Sequence, residues 1–298
     1  MRSDTAAMGT TANYWIKAVC RSLGVCLLAA AAIGLPAPSA RAGIFDTFDD
    51  AIDAIQAGFD YIWPDDIEVE DLSVRLGIGI GLTPDYTGSD DYRYRIVPLI
   101  DIRYKNIWAF QGTKFRYNVI RKGGFYAGPL LNYRFGRDAG RNPALDGLEN
   151  ISDTVDVGVF VEYRKASLVA NADLRKALGA GQGLTVQITV AQGIYATERF
   201  ALGAAVRAKW GSQKNIQTNF GITAAQSLST GHRAFDAASG LSSVGVSLLS
   251  RYKLSERWRL EGLIAVFRLV DDSADSPLVR DVGSPTQALG GVGFRYTF

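Results

Sequence analysis

The fold of this chain is decided by the stretch Leu72-Ser73-Val74-Arg75-Leu76-Gly77-Ile78-Gly79-Ile80-Gly81-Leu82. Every second residue in it is large and apolar, and the residues between are serine, arginine or glycine. Because successive side chains of a strand point to opposite faces, the stretch predicts a strand with one continuous apolar face. Its length matches the roughly 9 to 11 residues that a tilted strand needs to cross a bilayer, although a half-buried strand of a soluble sheet has the same pattern. Recurrence of the pattern decides between the two.

The alternation recurs along the chain up to its last residue. Besides 72–82, strands are predicted at residues 92–104, 108–119, 125–135, 155–163, 168–174, 184–190, 200–210, 244–252, 258–270 and 291–298, with a weaker candidate at 215–222. No apolar run approaches the roughly 20 residues of a membrane-spanning helix. The sequence therefore predicts an all-β fold over residues 68–298: a transmembrane antiparallel up-and-down β-barrel of about twelve strands. Closure is required because an open sheet edge would leave unpaired backbone groups in hydrocarbon.

Charged side chains occupy the alternate, inward positions of the predicted strands. They carry both signs: Arg75, Arg95, Asp101, Arg103, Asp156, Glu162, Asp173, Arg175, Arg207, Lys209 and Arg295. Charges of both signs pair across a lumen, whereas a wide selective channel usually has a field of one sign. We therefore expect a largely blocked barrel rather than an open pore.

Loop lengths conflict with this strand count at one place. Outer-membrane barrels have short turns at the periplasmic end and longer loops outside. Counted back from the C-terminus, the loops at 271–285 and 223–240 fall outside, but the long loop at 137–153 falls on the periplasmic side. Either a middle strand is miscounted or this barrel departs from the rule. A helical turn is expected at 224–228.

The first 42 residues are predicted to be a cleaved signal peptide. Lys17 and Arg21 precede an apolar run at 23–35, and Ala40-Arg41-Ala42 offers the small residues that a signal peptidase reads. Cleavage before Gly43 removes both cysteines and lowers the formal charge from +2 to about −1, because four basic residues and one acidic residue are lost. The mature chain then has no thiol and no excess positive charge for nucleic acid. We expect export to the outer membrane of a Gram-negative cell, in contact with its lipids.

Residues 43–67 predict an acidic amphipathic helix and a linker. Apolar residues fall at helical spacing on one face, namely Phe45, Phe48, Ile52, Ile55, Phe59 and Ile62. Aspartates occupy the opposite face, and Trp63-Pro64 ends the helix. Anionic headgroups repel such a helix, so it is not expected to lie on the membrane. Two interpretations stay open: a helix that caps or plugs the barrel, or a periplasmic docking helix for a partner protein.

The residues that could take part in catalysis or metal binding are not predicted to form a catalytic, cofactor or metal site. The one histidine, His232, lies in a polar stretch and has no nucleophile pattern beside it. The aspartates of 90–91 and 271–275 lack the spacing of a calcium loop and are interpreted as solvated turn residues. At the C-terminus, Phe294, Tyr296 and Phe298 are interpreted as the aromatic signature that outer-membrane proteins present to their assembly machinery.

Three groups of motifs carry a family resemblance. They are Gly77-Ile78-Gly79 with Pro84-Asp85-Tyr86-Thr87-Gly88-Ser89-Asp90-Asp91, Gly136-Arg137-Asp138 with Leu145-Asp146-Gly147-Leu148, and Asp271-Asp272-Ser273-Ala274-Asp275-Ser276-Pro277 with Gly283-Ser284-Pro285. With the final aromatic strand, they resemble the MipA/OmpV family of Gram-negative outer-membrane proteins over nearly all of the mature chain. The resemblance implies a non-enzymatic scaffold between a lytic transglycosylase and a bifunctional murein synthase in peptidoglycan synthesis. Some members resemble adhesins or solute-response proteins.

Three functions follow, ranked in this order. The first is the scaffold for cell-wall enzymes, the second a small-solute porin, solute-binding barrel or surface adhesin, and the third a barrel enzyme that uses His232. The scaffold function is ranked first because of the family resemblance, since a fold alone does not imply a function. The sequence leaves the oligomeric state and the identity of the partner or solute open.

Overall fold

A computed structural model describes residues 71–298, which form a closed antiparallel β-barrel. The strands are β1 (Leu72–Pro84), β2 (Tyr92–Tyr104), β3 (Trp108–Gln111), β4 (Lys114–Tyr117), β5 (Ile120–Lys122), β6 (Phe125–Arg134), β7 (Thr154–Lys165), β8 (Leu168–Ala177), β9 (Leu184–Ala196), β10 (Phe200–Gly211), β11 (Gly240–Lys253), β12 (Trp258–Leu269) and β13 (Thr286–Thr297). Each strand pairs with its neighbour in sequence, and β13 pairs with β1. The predicted up-and-down topology is confirmed.

Thirteen segments fill twelve positions around the barrel. Both β4 and β5 pair with β6, through Arg116↔Leu130 and Ile120↔Ala127, so they lie in line as one interrupted strand. The seam between β1 and β13 runs from Arg75↔Thr297 to Leu82↔Gly290. The predicted number of twelve strands is therefore confirmed, although two of the predicted strands are not the observed ones.

Two predicted segments were wrong, and their correction removes the conflict over loop lengths. Residues 108–119 are not one strand, because the chain reverses between Gln111 and Lys114 at Gly112, whose φ is +55°. Residues 215–222 are not a strand, because residues 213–220 form a helix that packs Ile216 and Phe220, spaced by one helical turn, into the core. With one strand added before the loop at 137–153 and one removed after it, that loop lies at the same end as the other long loops.

The long loops carry the helices of the described region. These are 3₁₀ turns at Ala139–Arg141 and Pro143–Leu145, and α1 (Gln213–Phe220), α2 (Ala224–Thr230), α3 (Asp271–Asp275) and α4 (Pro277–Arg280). The predicted helical turn at 224–228 is confirmed by α2, which Thr223 and Gln226 cap with reciprocal side chain to backbone hydrogen bonds. None of the helices in residues 71–298 is long and apolar enough to cross a membrane.

The outer surface of the wall is an apolar band. On β12 the exposed fraction alternates residue by residue: 3% for Leu263, 66% for Ile264, 5% for Ala265 and 42% for Val266. Water would penalise such a continuous exposed apolar surface, whereas hydrocarbon does not. The alternation that the sequence predicted thus places large aliphatic side chains outside and the intervening residues inside.

Aromatic side chains border this band at both ends, as in outer-membrane barrels. At the short-turn end they contact one another between adjacent strands, with ring centroids 4.6 Å apart for Phe125 and Tyr163 and 5.0 Å apart for Trp258 and Tyr296. At the long-loop end Tyr92, Tyr94, Tyr133 and Trp210 are exposed. The two aromatic borders mark the ends of the lipid-facing zone.

Candidate functional site: a filled lumen beneath a loop cover

The short-turn end of the lumen contains an ion-pair cluster centred on Asp101, whose side chain is fully buried. Arg103 Nε donates to Asp101 Oδ1 at 2.9 Å, and Arg75 approaches the second carboxylate oxygen at 2.5 Å. Arg295 bridges to the next carboxylate, with its Nη2 3.1 Å from Glu261 Oε2. Because the charges are desolvated, the cluster is stable only if each carboxylate keeps its cations.

A second group of ion pairs joins strands on the opposite side of the wall. Arg116 Nη1 donates to Glu162 Oε2 at 2.8 Å, and Arg134 Nη2 donates to Asp156 Oδ2 at 2.7 Å. Lys114 on β4 lies 3.4 Å from Asp173 on β8, so this contact passes over the two strands between them. Side chains that reach past their neighbouring strands fill the lumen.

An apolar cluster also lines the inner wall, on several of the strands that carry the first ion-pair cluster. It runs from β2 through β13, β12, β11 and β10 to β9, with Val97, Leu99, Leu249, Leu263 and Leu289 as its largest buried members. Side chains that line an open aqueous channel are solvent-exposed, but these are at most 6% exposed. The lumen is thus packed by ion pairs and aliphatic side chains, and on β2, β11, β12 and β13 the aliphatic residues lie nearer the long loops than the charged residues of the first ion-pair cluster.

The predicted inward charges lie inside the barrel. Nine of the eleven are no more than 4% exposed, and Arg207 and Lys209 are half-buried. Cations outnumber carboxylates inside the barrel: the buried charged residues of the described region are eight arginines and five carboxylates.

The family motifs converge at the long-loop end of the barrel. There, residues 85–91, 135–153, 212–239 and 270–285 fold over the mouth, and we call these four segments the loop cover. Tyr86 is 1% exposed and donates its hydroxyl hydrogen to Leu278 O at 3.0 Å. Its burial raises the pKa of Tyr86 to about 12, so it stays protonated and donates this hydrogen bond at neutral pH.

Buried amides connect the segments of the loop cover. Gln287 Nε2 donates to Ser89 O at 2.9 Å and to Ser284 O at 2.8 Å, while Gly88 N donates to Gln287 Oε1 at 3.0 Å. Asn142 Nδ2 donates to Asp85 Oδ2 at 2.9 Å. Beneath them, an apolar cluster contains residues from all four segments: Tyr86, Ala139, Leu145, Ile222 and Leu278. The loop cover is therefore a packed structure with its own core.

A small polar cavity lies where the loop cover meets the barrel wall. Its volume is about 60 Å³, and it is lined by Arg134, Arg137, Lys209, the amides of Gln182, Asn215 and Asn219, and the hydroxyls of Thr87 and Ser242, among others. Arg137 Nη1 donates to Asn219 O at 2.7 Å. Burial lowers the pKa of Arg137 from 12.5 to about 10, which leaves it cationic at neutral pH.

Replacing Gly136 by alanine is expected to open the segment 135–153 of the loop cover. A Cβ there would lie 1.8 Å from Ile151 O, so the backbone bridge between Arg137 and Ile151 has to shift. Such overpacking costs about 1–3 kcal/mol. Limited proteolysis of the folded barrel in detergent should show faster cleavage within 135–153. Gly140→Ala is the matched control, because its Cβ would meet nothing closer than Asp138 Oδ1 at 3.5 Å; equal cleavage rates in the two variants would contradict this expectation.

The short-turn end presents a basic rim. Six exposed cationic side chains stand there against the three carboxylates of Asp71, Glu198 and Glu256; the cations are Lys105, Arg121, Lys122, Lys165, Arg199 and Arg257. The described chain begins at this end with Asp71, directly before β1. Residues 43–71 contain ten carboxylates and no lysine or arginine, so a strongly acidic segment joins the barrel at its basic end.

The structure describes the C-terminal aromatic residues and His232, but not the predicted docking helix. Phe294 and Phe298 are 49% and 72% exposed, and Tyr296 contacts the rings of Trp258 and Phe298. These three residues are therefore on the lipid-facing border at the seam, while their role in assembly stays a prediction. His232 is half-buried in the loop cover, with Nε2 3.3 Å from Ala144 O. The signal peptide and the helix at 43–67, with Phe45, Phe48, Ile52, Ile55 and Phe59, lie outside the described residues.

The turn aspartates lie in the loop cover and act as structural acceptors. Asp272 Oδ2 accepts from Ala238 N at 2.6 Å, and Asp91 Oδ2 accepts from Asn142 Nδ2 at 3.2 Å. Residues 71–298 contain no group of three or more His, Cys, Asp or Glu side chains placed to hold a metal ion. Sequence reasoning missed the role of Gln287 and Arg137 in the loop cover, because the contacts of both are made across long sequence separations.

Comparison with known proteins gives one family and several similar folds. A family model described as MltA-interacting protein MipA matches residues 76–298. The chain is similar in structure to the KdgM porin at 10% identity, with 75% of this chain and 99% of that chain covered and a TM-score of 0.42. It is also similar to the translocator domain of autotransporter NalP from Neisseria meningitidis at 12% identity, with 84% and 94% covered and a TM-score of 0.40. No curated protein sequence matches this chain significantly.

The apolar outer band, the aromatic borders and the closed sheet define the class of protein, which is an outer-membrane β-barrel. This architecture supports a location in the outer membrane. Because the family model matches most of the chain, from residue 76 to residue 298, the chain belongs to the MltA-interacting protein MipA family. The resemblance to the MipA/OmpV family that the motifs indicated is confirmed.

Proposed function

We propose that this protein is a non-enzymatic outer-membrane scaffold for enzymes of peptidoglycan synthesis and remodelling. Its partners would be a lytic transglycosylase and a bifunctional murein synthase. The observation that carries the proposal is the match to a family described as MltA-interacting over residues 76–298. Transport is a weaker alternative for the described barrel, because the lumen is filled by buried side chains and the loop cover lies over its mouth.

The docking surface in this proposal is the short-turn end, which faces the periplasm in outer-membrane barrels. Two features favour it over the opposite end. The basic rim offers exposed lysine and arginine side chains for an acidic partner surface, and charge complementarity speeds and orients such encounters. The acidic segment 43–67, with its predicted apolar face, adjoins the same end and supplies a second contact of opposite charge.

Site-specific photo-crosslinking in cells tests this assignment. A crosslinker placed at Lys122, Lys165 or Arg257 should capture the transglycosylase and the synthase, because these residues are exposed on the basic rim. The matched control is Leu228, which is 90% exposed but lies in the loop cover at the other end. Capture only from Leu228, or from none of the four positions, would contradict the scaffold at the short-turn end.

Deleting residues 43–66 distinguishes the two interpretations of the acidic segment. If the segment is a docking helix, the deletion should weaken the crosslinks from the rim. If it instead caps the barrel, its removal exposes the rim and the crosslinks should become stronger. If the crosslinks are unchanged by the deletion, the acidic segment takes no part in docking and the basic rim alone is the docking surface.

The purified barrel is expected to show no stable single-channel conductance in planar bilayers. The physical reason is that the inward side chains of residues 71–298 are buried against one another, so we expect no continuous water path for ions through this part of the chain. Conductance is measured for the wild type and for a variant lacking residues 137–150 of the loop cover. Stable, uniform channels in the wild type would favour the porin alternative over the scaffold.

A further inference from the structure

We propose that the cavity between the loop cover and the barrel wall is a binding site for a small oxyanion, namely a phosphate or carboxylate group. The proposal is independent of the scaffold function. It rests on the charge of the cavity lining, on the size of the cavity, and on the hydrogen-bonding capacity of Arg137.

The lining has the composition of an anion site. Its charged residues are Arg134, Arg137 and Lys209, and no carboxylate of residues 71–298 lines the cavity. The other polar groups are amides and hydroxyls, which add no negative charge. Each amide nitrogen already donates one hydrogen bond to a backbone carbonyl and has a second hydrogen to donate. Arginine is favoured where planar recognition of carboxylate or phosphate is needed.

The two arginines differ in how far their charge is already compensated. Arg134 is paired with Asp156, and it also donates to Thr185 Oγ1 at 3.1 Å, so its orientation is fixed. Arg137 donates to a neutral carbonyl, Asn219 O, and its buried Nε has no hydrogen-bond partner within the described region. A buried N–H group without an acceptor is costly unless one is supplied. An anion in the cavity supplies it.

The position and size of the cavity limit the ligand. A volume of about 60 Å³ exceeds the roughly 10–15 Å³ that one water molecule needs, so an ion of four or five heavy atoms fits. Arg137 is half-buried and lies in the segment that follows β6, so the cavity is reached from the long-loop side. Its backbone is held on both sides by hydrogen bonds of 2.8 Å with Ile151, and its Nη1 donates to Asn219 O, which orients the guanidinium before binding.

Calorimetric titration of the full folded chain in detergent tests the proposal at constant ionic strength. The probes are inorganic phosphate, acetate and, as a separate arm, detergent-dispersed lipopolysaccharide. Arg137→Gln should weaken binding about 10- to 100-fold, the loss expected for one charge-assisted hydrogen bond. Arg141→Gln is the matched control, because Arg141 lies in the same segment, pairs with Asp138 and does not line the cavity.

A second variant keeps the test decisive if Arg137→Gln does not fold. Lys209→Gln removes a cation that lines the cavity from β10 instead of from the loop cover. It should lower the affinity for the anion measured in the same titration. Saturable binding of free phosphate or acetate would identify the ligand as a soluble anion. Saturable binding of lipopolysaccharide alone would identify it as a phosphate or carboxylate of the lipid headgroup. Absence of binding to all three probes, or equal affinity in the wild type and both variants, would overturn the site.

Discussion

Replacing Asp101 by asparagine is expected to lower the free energy of unfolding by about 3–5 kcal/mol. Asp101 is fully buried and holds the guanidinium groups of Arg75 and Arg103, with Arg295 3.9 Å away. The substitution keeps the shape of the side chain but removes its charge, so several buried cations lose their counter-ion together. Unfolding by urea in lipid vesicles, followed by tryptophan fluorescence and by heat-modifiable gel mobility, gives the measurement.

Two comparison variants separate this effect from a general loss of charge. Asp281→Asn removes a carboxylate that pairs with Arg280 on the surface, where both side chains are about half exposed, and should have little effect. The double variant Asp101→Asn with Arg75→Met should recover part of the loss, because one uncompensated cation is removed. A loss in Asp101→Asn no larger than that in Asp281→Asn would contradict the structural role of the cluster.

Replacing Ile264 by arginine is expected to cost about 2–4 kcal/mol of folding stability in the bilayer. Ile264 lies at the middle of β12, is 66% exposed and points away from the lumen. An arginine there would have to enter hydrocarbon or bend towards a distant interface. The same vesicle unfolding experiment measures the cost. If residue 264 faced water instead, arginine would be tolerated as on any exposed strand face.

Leu254 provides the control for this substitution. It is 51% exposed, similar to Ile264, but it lies in the turn between β11 and β12, beyond the aromatic border. Leu254→Arg should therefore change stability by less than about 1 kcal/mol, since the cost of a charge falls towards the interface. Equal losses at the two positions would mean that depth in the membrane does not set the cost.

The barrel could be predicted from the sequence because its cause is local. In β1 and in the last residues of β13, large apolar residues alternate one by one with small or polar ones, and lipid outside the barrel favours an apolar outer face in every strand. The two errors arose where the local pattern was weak. Residues 108–117 form a hairpin of two four-residue strands, too short to show a period, and the helix α1 contains polar residues of low helix propensity.

The loop cover could not be derived from the sequence in the same way. Its contacts join residues far apart in the chain, such as Tyr86 with Leu278 and Gly88 with Gln287, and no local period records them. The motifs of residues 84–91 and 136–148 were recognised as family marks, but their physical role emerges only from the contacts they make. The same holds for the cavity at Arg137, whose lining comes from seven separate segments and strands.

The central claim is that alternate residues of each strand face lipid and the lumen. It is tested most directly by introducing single cysteines at 263, 264, 265 and 266 of β12 in a Cys20→Ser/Cys26→Ser background, with a fluorophore attached to each one in turn. In vesicles containing brominated lipids, labels at 264 and 266 should be strongly quenched and labels at 263 and 265 should not, following the exposed fractions of those side chains. Quenching that is equal at all four positions, or absent from all of them, would contradict the account.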